Sequence, residues 1–338
     1  MTLLMRCRAL AVSSVLVILS ACGGTNTGTP SNQSVSGALP PAASSTPQPC
    51  QCLYVANTRS NSLTFYHLDA TGNATLSNTI AGPSTNLSEP FKVTGDAAGN
   101  IFAGDSMGQI VHFLPGAHDN AIGDVLHIEG PGASLRGFAF DDAGNLYEAK
   151  DNEIPIFAKS LDGHLAFERN IVGPKTGLSS PDDVALDAAG TIYVANAGSG
   201  ACGPQGSVTV YPAGVYGFVY GGPPIQSIGG SKTGIAAPVN VAVDANRRIY
   251  VHNLHSGIEI FAAGANGNIA PIATIATPES VGLAVDANGN IYTSVSSQNA
   301  IYVYPPVGQL RADGHTLPTH IVAGSNSGLD FPQLLTVH

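Results

Sequence analysis

The stretch Asp187–Asn196, DAAGTIYVAN, recurs along the chain, and its recurrence decides the fold. Related segments begin at Asp96 (DAAGNIF), Asp141 (DDAGNLY), Asp244 (DANRRIY) and Asp286 (DANGNIY). Their aromatic residues, Phe102, Tyr147, Tyr193, Tyr250 and Tyr292, stand 45, 46, 57 and 42 residues apart. A further copy starts without its Asp in CLYVAN, with Tyr54 lying 48 residues before Phe102. Self-similarity at such a period marks a repeat architecture, in which each unit buries its apolar faces only against its neighbours.

Outward from the turn, each copy carries the same four segments. A short apolar strand follows Pro90, Pro181 or Pro238, and the D-x-x-G turn leads into a strand of the IYVAN type. A polar loop then reaches a third strand: LTFY at Leu63, IVHF at Ile110, IPIF at Ile154, VTVY at Val208, IEIF at Ile258 and IYVY at Ile301. A last strand ends near a glycine at Ile80, Ile128, Ile171, Ile228 and Ile321. Four short strands per repeat, divided by Gly, Asn, Asp and Pro turns, predict an all-β, six-bladed β-propeller. The C-terminal PQLLTVH, Pro332 to His338, matches the first strand of a blade and stops at the turn position. Leu53 onward supplies the rest, so both chain ends are expected to complete one blade and close the ring, leaving no open edge.

Composition agrees. The 338 residues include 40 Gly and 23 Pro but only 11% charged residues, where a soluble domain averages about 25%. Net charge is −10, and −12 once the segment before Cys22, with Arg6 and Arg8, is set aside. Such a chain repels phosphate, which argues against a nucleic-acid partner.

Residues 1–21 show a short basic region and an apolar run from Ala9 to Leu19, too short to span a bilayer and of the form of a secretory signal. Leu19-Ser20-Ala21-Cys22 resembles the bacterial lipobox, which implies lipidation of Cys22 and attachment to a membrane through that lipid. Gly23 lacks the Asp that favours inner-membrane retention in lipoprotein sorting. The resemblance therefore implies the cell envelope, at the outer membrane or its periplasmic face. Residues 22–49 hold no charge and no aromatic residue, and read as a disordered tether reaching about 30 Å. The propeller is expected over 50–338. Of its cysteines, Cys50 and Cys52 fall on the face of the Asp turns and Cys202 on the opposite face. Cys202 is expected to be unpaired within the chain, while Cys50 and Cys52 can bridge each other only with strain, which leaves their pairing open.

The repeat resembles the NHL-repeat β-propellers over about Cys52 to His338, on its Pro, small apolar strand, Asp-x-x-Gly-Asn, Ile-Tyr-Val-Ala and third-strand pattern. It departs from them at Asn57, Asn196 and Asn253, at Arg247-Arg248, and in a third blade without its Pro. Such propellers include binding scaffolds and enzymes, so fold does not fix function.

The turn aspartates are expected to accept their own backbone N–H groups rather than to hold calcium. Candidate ligand contacts gather where inner strands begin, around the mouth of the central channel: Lys92, Arg136, Asp182, Asp183, Asn240 and Gln333. His252 is the one large residue in a column otherwise of Ala56, Gly104, Ala149, Ala195 and Ser294, and Asn253 follows it on the polar rim. The functional expectation is a non-catalytic module binding a protein, peptide or glycan. The alternative is a metal-dependent lactonase or lyase at the channel mouth, with Asp182, Asn240, Asn253 and His252 as ligands and His255 as a further metal candidate. A similarity to gluconolactonase and senescence-marker-like propellers, carried by Pro181-Asp182-Asp183-Val184, implies a metal role for Asp182. Their other ligand positions fall on Arg136, Val239 and a displaced Glu89, too few oxygens for a hard cation. The long loop Ala197 to Gly206 of the fourth blade accounts for most of the 57-residue spacing.

Overall fold

The computed structural model describes residues 52–96, 98–126, 128–129, 135–159, 164–198, 206–215 and 219–338. The expected signal segment, the expected lipidation position Cys22, the expected tether, Cys50, His127, Cys202 and most of the long fourth-blade loop lie outside them. The described chain is all-β, with six sheets of antiparallel blade strands and two single 3-10 turns, Ser296–Gln298 and Val307–Gln309. These are the six blades that the repeat predicts.

The first blade is closed by both ends of the chain. The strand Pro332–Val337 pairs with Cys52–Asn57, which continues to Ser62–His67 and Asn78–Ala81. The seal is reciprocal: Cys52 N donates to His338 O at 2.8 Å and His338 N to Cys52 O at 3.0 Å. Cys52 is disulfide-bonded.

Each Asp turn closes on itself. Asp187 Oδ1 accepts from Ala189 N at 3.0 Å and Thr191 N at 2.9 Å, while Oδ2 accepts from Tyr193 OH at 3.2 Å. The same pattern holds at Asp141, Asp244 and Asp286, where Oδ2 takes the hydroxyl of Tyr147, Tyr250 or Tyr292 at 3.3, 3.0 and 3.0 Å. A short polar side chain that satisfies the backbone of its own turn makes the motif local, and therefore repeatable.

The core is radial rather than central. Six apolar clusters each fill one seam between neighbouring blades, as where Tyr54, Ala56 and Phe65 of the first blade meet Val93, Ala103 and Val111 of the second. Residues alternate along a strand, so one blade feeds both its seams. Outer edges are covered by the following blade. Its loop bridges back at Ile80 to Asp119, Ile228 to Gly267 and Val322 to Gly72, and Val219–Tyr220 pairs with Asn170 and Ile171. Covered edges offer no ladder to another chain.

The second blade departs from expectation. Its outer strand is Asp124–Val125 rather than the segment at Ile128. The third strand, Ile110–Phe113, is only four residues long, and Asp124, Val125 and Leu126 already occupy it. Ile128–Glu129 instead pairs with Leu165 and Ala166, at the start of the third blade's eight-residue outer strand Leu165–Val172.

Candidate functional site

In the second, fourth and fifth blades the inner strand begins with a bulge at the mouth of the channel. Pro181 pairs with Asn196 and Asp183 with Ala195, leaving Asp182 as the extra residue; Phe91 and Val239 are extra in the same way. A bulge re-aims the side chain it carries. Phe91, Arg136, Asp182, Val239, Val281 and Gln333, each from a different blade, line a shallow cavity of about 300 Å³ at the mouth, together with Ser106, Leu135, Leu254 and Leu334. Its polar feature is an ion pair between adjacent blades, Arg136 Nη1 to Asp182 Oδ1 at 2.5 Å, with Arg136 about half exposed.

The next residue inward has a different role. Lys92 Nζ donates to Asp183 Oδ1, linking the second blade to the fourth, with the ammonium 5.6 Å from the centre of the Phe138 ring of the third. Asp183 Oδ2 accepts from Val241 N of the fifth blade at 3.2 Å. The pair passes the third blade because Gly137 has no side chain: a Cβ there would lie 2.4 Å from Asp183 Oδ1 and 2.6 Å from Asp182 O. Burial pushes the Asp183 carboxyl up, against the opposing pull of Lys92. Both residues are buried, as is Asn240 on the same ring. Beyond them, all six inner strands line a second cavity of about 300 Å³, so the pair stands between two chambers.

His252 sits behind the mouth wall. Its ring is fully buried, with Nδ1 3.2 Å from Val281 O and Nε2 2.8 Å from Ser280 Oγ. A carbonyl accepts only, so Nδ1 carries the proton and Nε2 accepts from the serine hydroxyl. Burial lowers its pKa from 6.5 to about 4, and the Val281 carbonyl opposes that shift. In other blades this column abuts the next inner strand: a Cβ on Gly104 would lie 2.5 Å from Phe138, and Ser294 Oγ donates to Gln333 O at 2.6 Å. An imidazole fits in the fifth blade because the inner strand of the sixth, Ala284–Val285, begins late. The readable signal is a two-residue insertion: Pro278 stands eight positions before Asp286, whereas Pro238 stands six before Asp244.

The remaining candidates separate. His255 is exposed on the loop. Asn253 is buried, its Oδ1 accepting from Ala236 N at 3.0 Å and its Nδ2 donating to Glu259 Oε2. Asn57 and Asn196 brace their loops alike, through Asp330 N at 3.1 Å and Ser179 N at 3.0 Å. Among the described residues, no three His, Cys, Asp or Glu side chains are grouped to hold a metal ion.

Two carboxyls escaped the sequence reading although the columns announce them. Glu148 is buried where other second strands carry Val55, Ala103, Val194, Val251 and Thr293, and burial, opposed by Lys150, pushes its pKa up to about 7. Glu259 replaces Thr64 and Thr209, the partners of Asn57 and Asn196, and burial pushes it up to about 8.

The architecture and mouth define a six-bladed β-propeller with one cavity on either side of the Lys92–Asp183 pair. No family model matches the chain, and no curated protein matches it. Among solved structures, a chain in "Crystal structure of Nidogen/Laminin Complex" is similar at 12% identity and TM-score 0.56, covering 85% of this chain and 97% of that one. A functionally unknown protein from Desulfotomaculum acetoxidans is similar at 12% identity and TM-score 0.51, covering 82% and 83%. At that identity the likeness is one of fold.

Proposed function

We propose that this protein is a non-catalytic binding module that receives a protein or peptide at its channel mouth. The observation carrying this reading is the mouth itself. Phe91, Val239 and Val281, from three different blades, line one concavity beside a half-exposed Arg136–Asp182 pair. An apolar pocket with one oriented ion pair suits a partner that inserts an apolar side chain and aligns a polar group on the rim. The buried Lys92–Asp183 pair forms a rigid floor. A similar fold occurs in a chain of the nidogen/laminin complex, which supports the reading by analogy only.

In the finer form of this proposal, the chain is an NHL-like lipoprotein of the bacterial envelope. The lipobox-like Leu19 to Cys22 supports lipidation of Cys22, and the uncharged stretch 22–49 supports a tether holding the propeller, from residue 50, off the outer membrane.

Two experiments test this. Metabolic labelling with a fatty acid is expected to mark the wild-type chain and not Cys22→Ser. Affinity capture from envelope extracts, with the full-length chain as bait, is expected to retain a partner that Val239→Glu loses at unchanged melting temperature. Capture unaffected by Val239→Glu would overturn the assignment of the mouth.

A further inference from the structure

The repeat is broken at several positions together in one seam, between the second and third blades on the face of the Asp turns. Phe102 stands where four other blades place the tyrosine that bonds its turn aspartate. His112 stands in a third-strand column otherwise made of Phe65, Ile156, Val210, Ile260 and Val303. Phe140 is the one aromatic residue among Gly95, Leu186, Val243, Val285 and Val337. The three rings form a stack, Phe102 lying 4.0 Å from Phe140 at 23° and 5.0 Å from His112 at 19°. Asn100 fixes the imidazole, with Oδ1 3.1 Å from Nε2, while its own amide donates to Asp96 at 2.7 Å.

Beside this stack the seam opens into a cleft of about 410 Å³. It opens because the outer strand of the second blade is only two residues long, and because Gly144 lets the stem of Lys159 lie across it; a Cβ there would be 2.9 Å from Lys159 Cδ. Asp124 of the second blade and Lys159 of the third flank the cleft, both exposed. Neither joins any of the ion pairs among the described residues.

We propose that this cleft binds a sugar residue of a glycan. The size lies in the lower range for small-molecule sites, about 300–1,000 Å³. An aromatic wall favours the apolar face of a ring, whereas a carboxylate and an ammonium on opposite flanks favour groups that donate to one and accept from the other. Neutral hydroxyls do both. A ligand of one net charge would meet a like charge across the cleft, and a hydrocarbon would desolvate both groups without replacing their hydrogen bonds. A neutral polyhydroxylated ring satisfies all three surfaces.

The proposal stands apart from the mouth, and its test keeps the two separate. The full-length chain, in a sugar-free detergent, is applied to an array of neutral, uronic-acid and amino-sugar oligosaccharides. Any hit is then titrated by saturation-transfer NMR. Retention of neutral hexose-bearing glycans is expected, weakened at least tenfold by Asp124→Asn and by Lys159→Met and unchanged by the mouth variant Val239→Glu, with melting temperatures preserved. Retention of no neutral glycan, retention indifferent to both cleft variants, or retention of acidic glycans alone would overturn it.

Discussion

Acidification is expected to destabilise the protein through His252, by an amount its surroundings set. The buried imidazole titrates near 4 in the folded chain against 6.5 unfolded. Between those values the unfolded chain binds the extra proton, so stability falls as pH drops through this window and is fully regained above 6.5. From pH 7 to pH 4.5 the loss is about 2.4 kcal/mol, at about 1.36 kcal/mol per unit of pKa difference. Protonation also turns Nε2 from acceptor into donor, so the Ser280 hydroxyl that pins the start of the sixth blade must reverse its role. Glu148 and Glu259 act in the opposite sense, since carboxyls with raised pKa are best accommodated in acid. The comparison that isolates the histidine is therefore between wild type and His252→Asn, by urea unfolding at both pH values. The variant is less stable at pH 7 because it leaves a void. Its loss on going to pH 4.5 is expected to be smaller than that of wild type by about 2 kcal/mol. Equal losses in both proteins would refute the assignment of a buried, neutral His252.

Other outcomes follow from the same geometry. Glu259→Gln keeps an acceptor for Asn253 but cannot ionise, so between pH 5 and pH 9 the variant is expected to lose about 4 kcal/mol less stability than wild type, read by denaturant titration at both. Lys92→Met strands the buried Asp183 carboxylate and is expected to cost about 3–5 kcal/mol, most of it recovered by adding Asp183→Asn, as a double-mutant cycle would measure. Asp244→Ala removes the acceptor for two turn amides and for Tyr250 OH, and a loss of about 1–2 kcal/mol in thermal unfolding is expected. Deleting Pro332 to His338 removes the inner strand of the closing blade, and a loss of cooperative unfolding with aggregation is expected by scattering.

The blades are legible in the sequence because their defining interactions are local. Asp187 satisfies its own turn and Tyr193 returns to it six residues later, so each copy reveals the element it builds. Ring closure is legible for a related reason: PQLLTVH stops at the turn position and CLYVAN lacks an inner strand, so the first supplies the inner strand and the second the rest of one blade. The mouth is only half legible. Asp182 and Asp183 are adjacent charges in the sequence, and the backbone bulge that sends one to the mouth and the other to the axis has no residue signature of its own. Position also depends on neighbouring blades: Lys92 reaches Asp183 only past the bare backbone of Gly137, and His252 fits only because the sixth blade starts late. The cleft beside Phe102 was hidden for the same reason, since its walls come from anomalies in two repeats that look minor when each is read alone.

The most direct measurement of the central claim is site-specific photo-crosslinking from the mouth. A photoreactive residue at Val239 of the full-length chain is expected to form one discrete, saturable adduct with a protein or peptide partner, competed by unmodified chain. The same residue at exposed Ile272, on the outer rim, is expected to form none. Equal labelling from both positions, or no adduct from Val239 when Ile272 gives one, would contradict a partner-binding mouth.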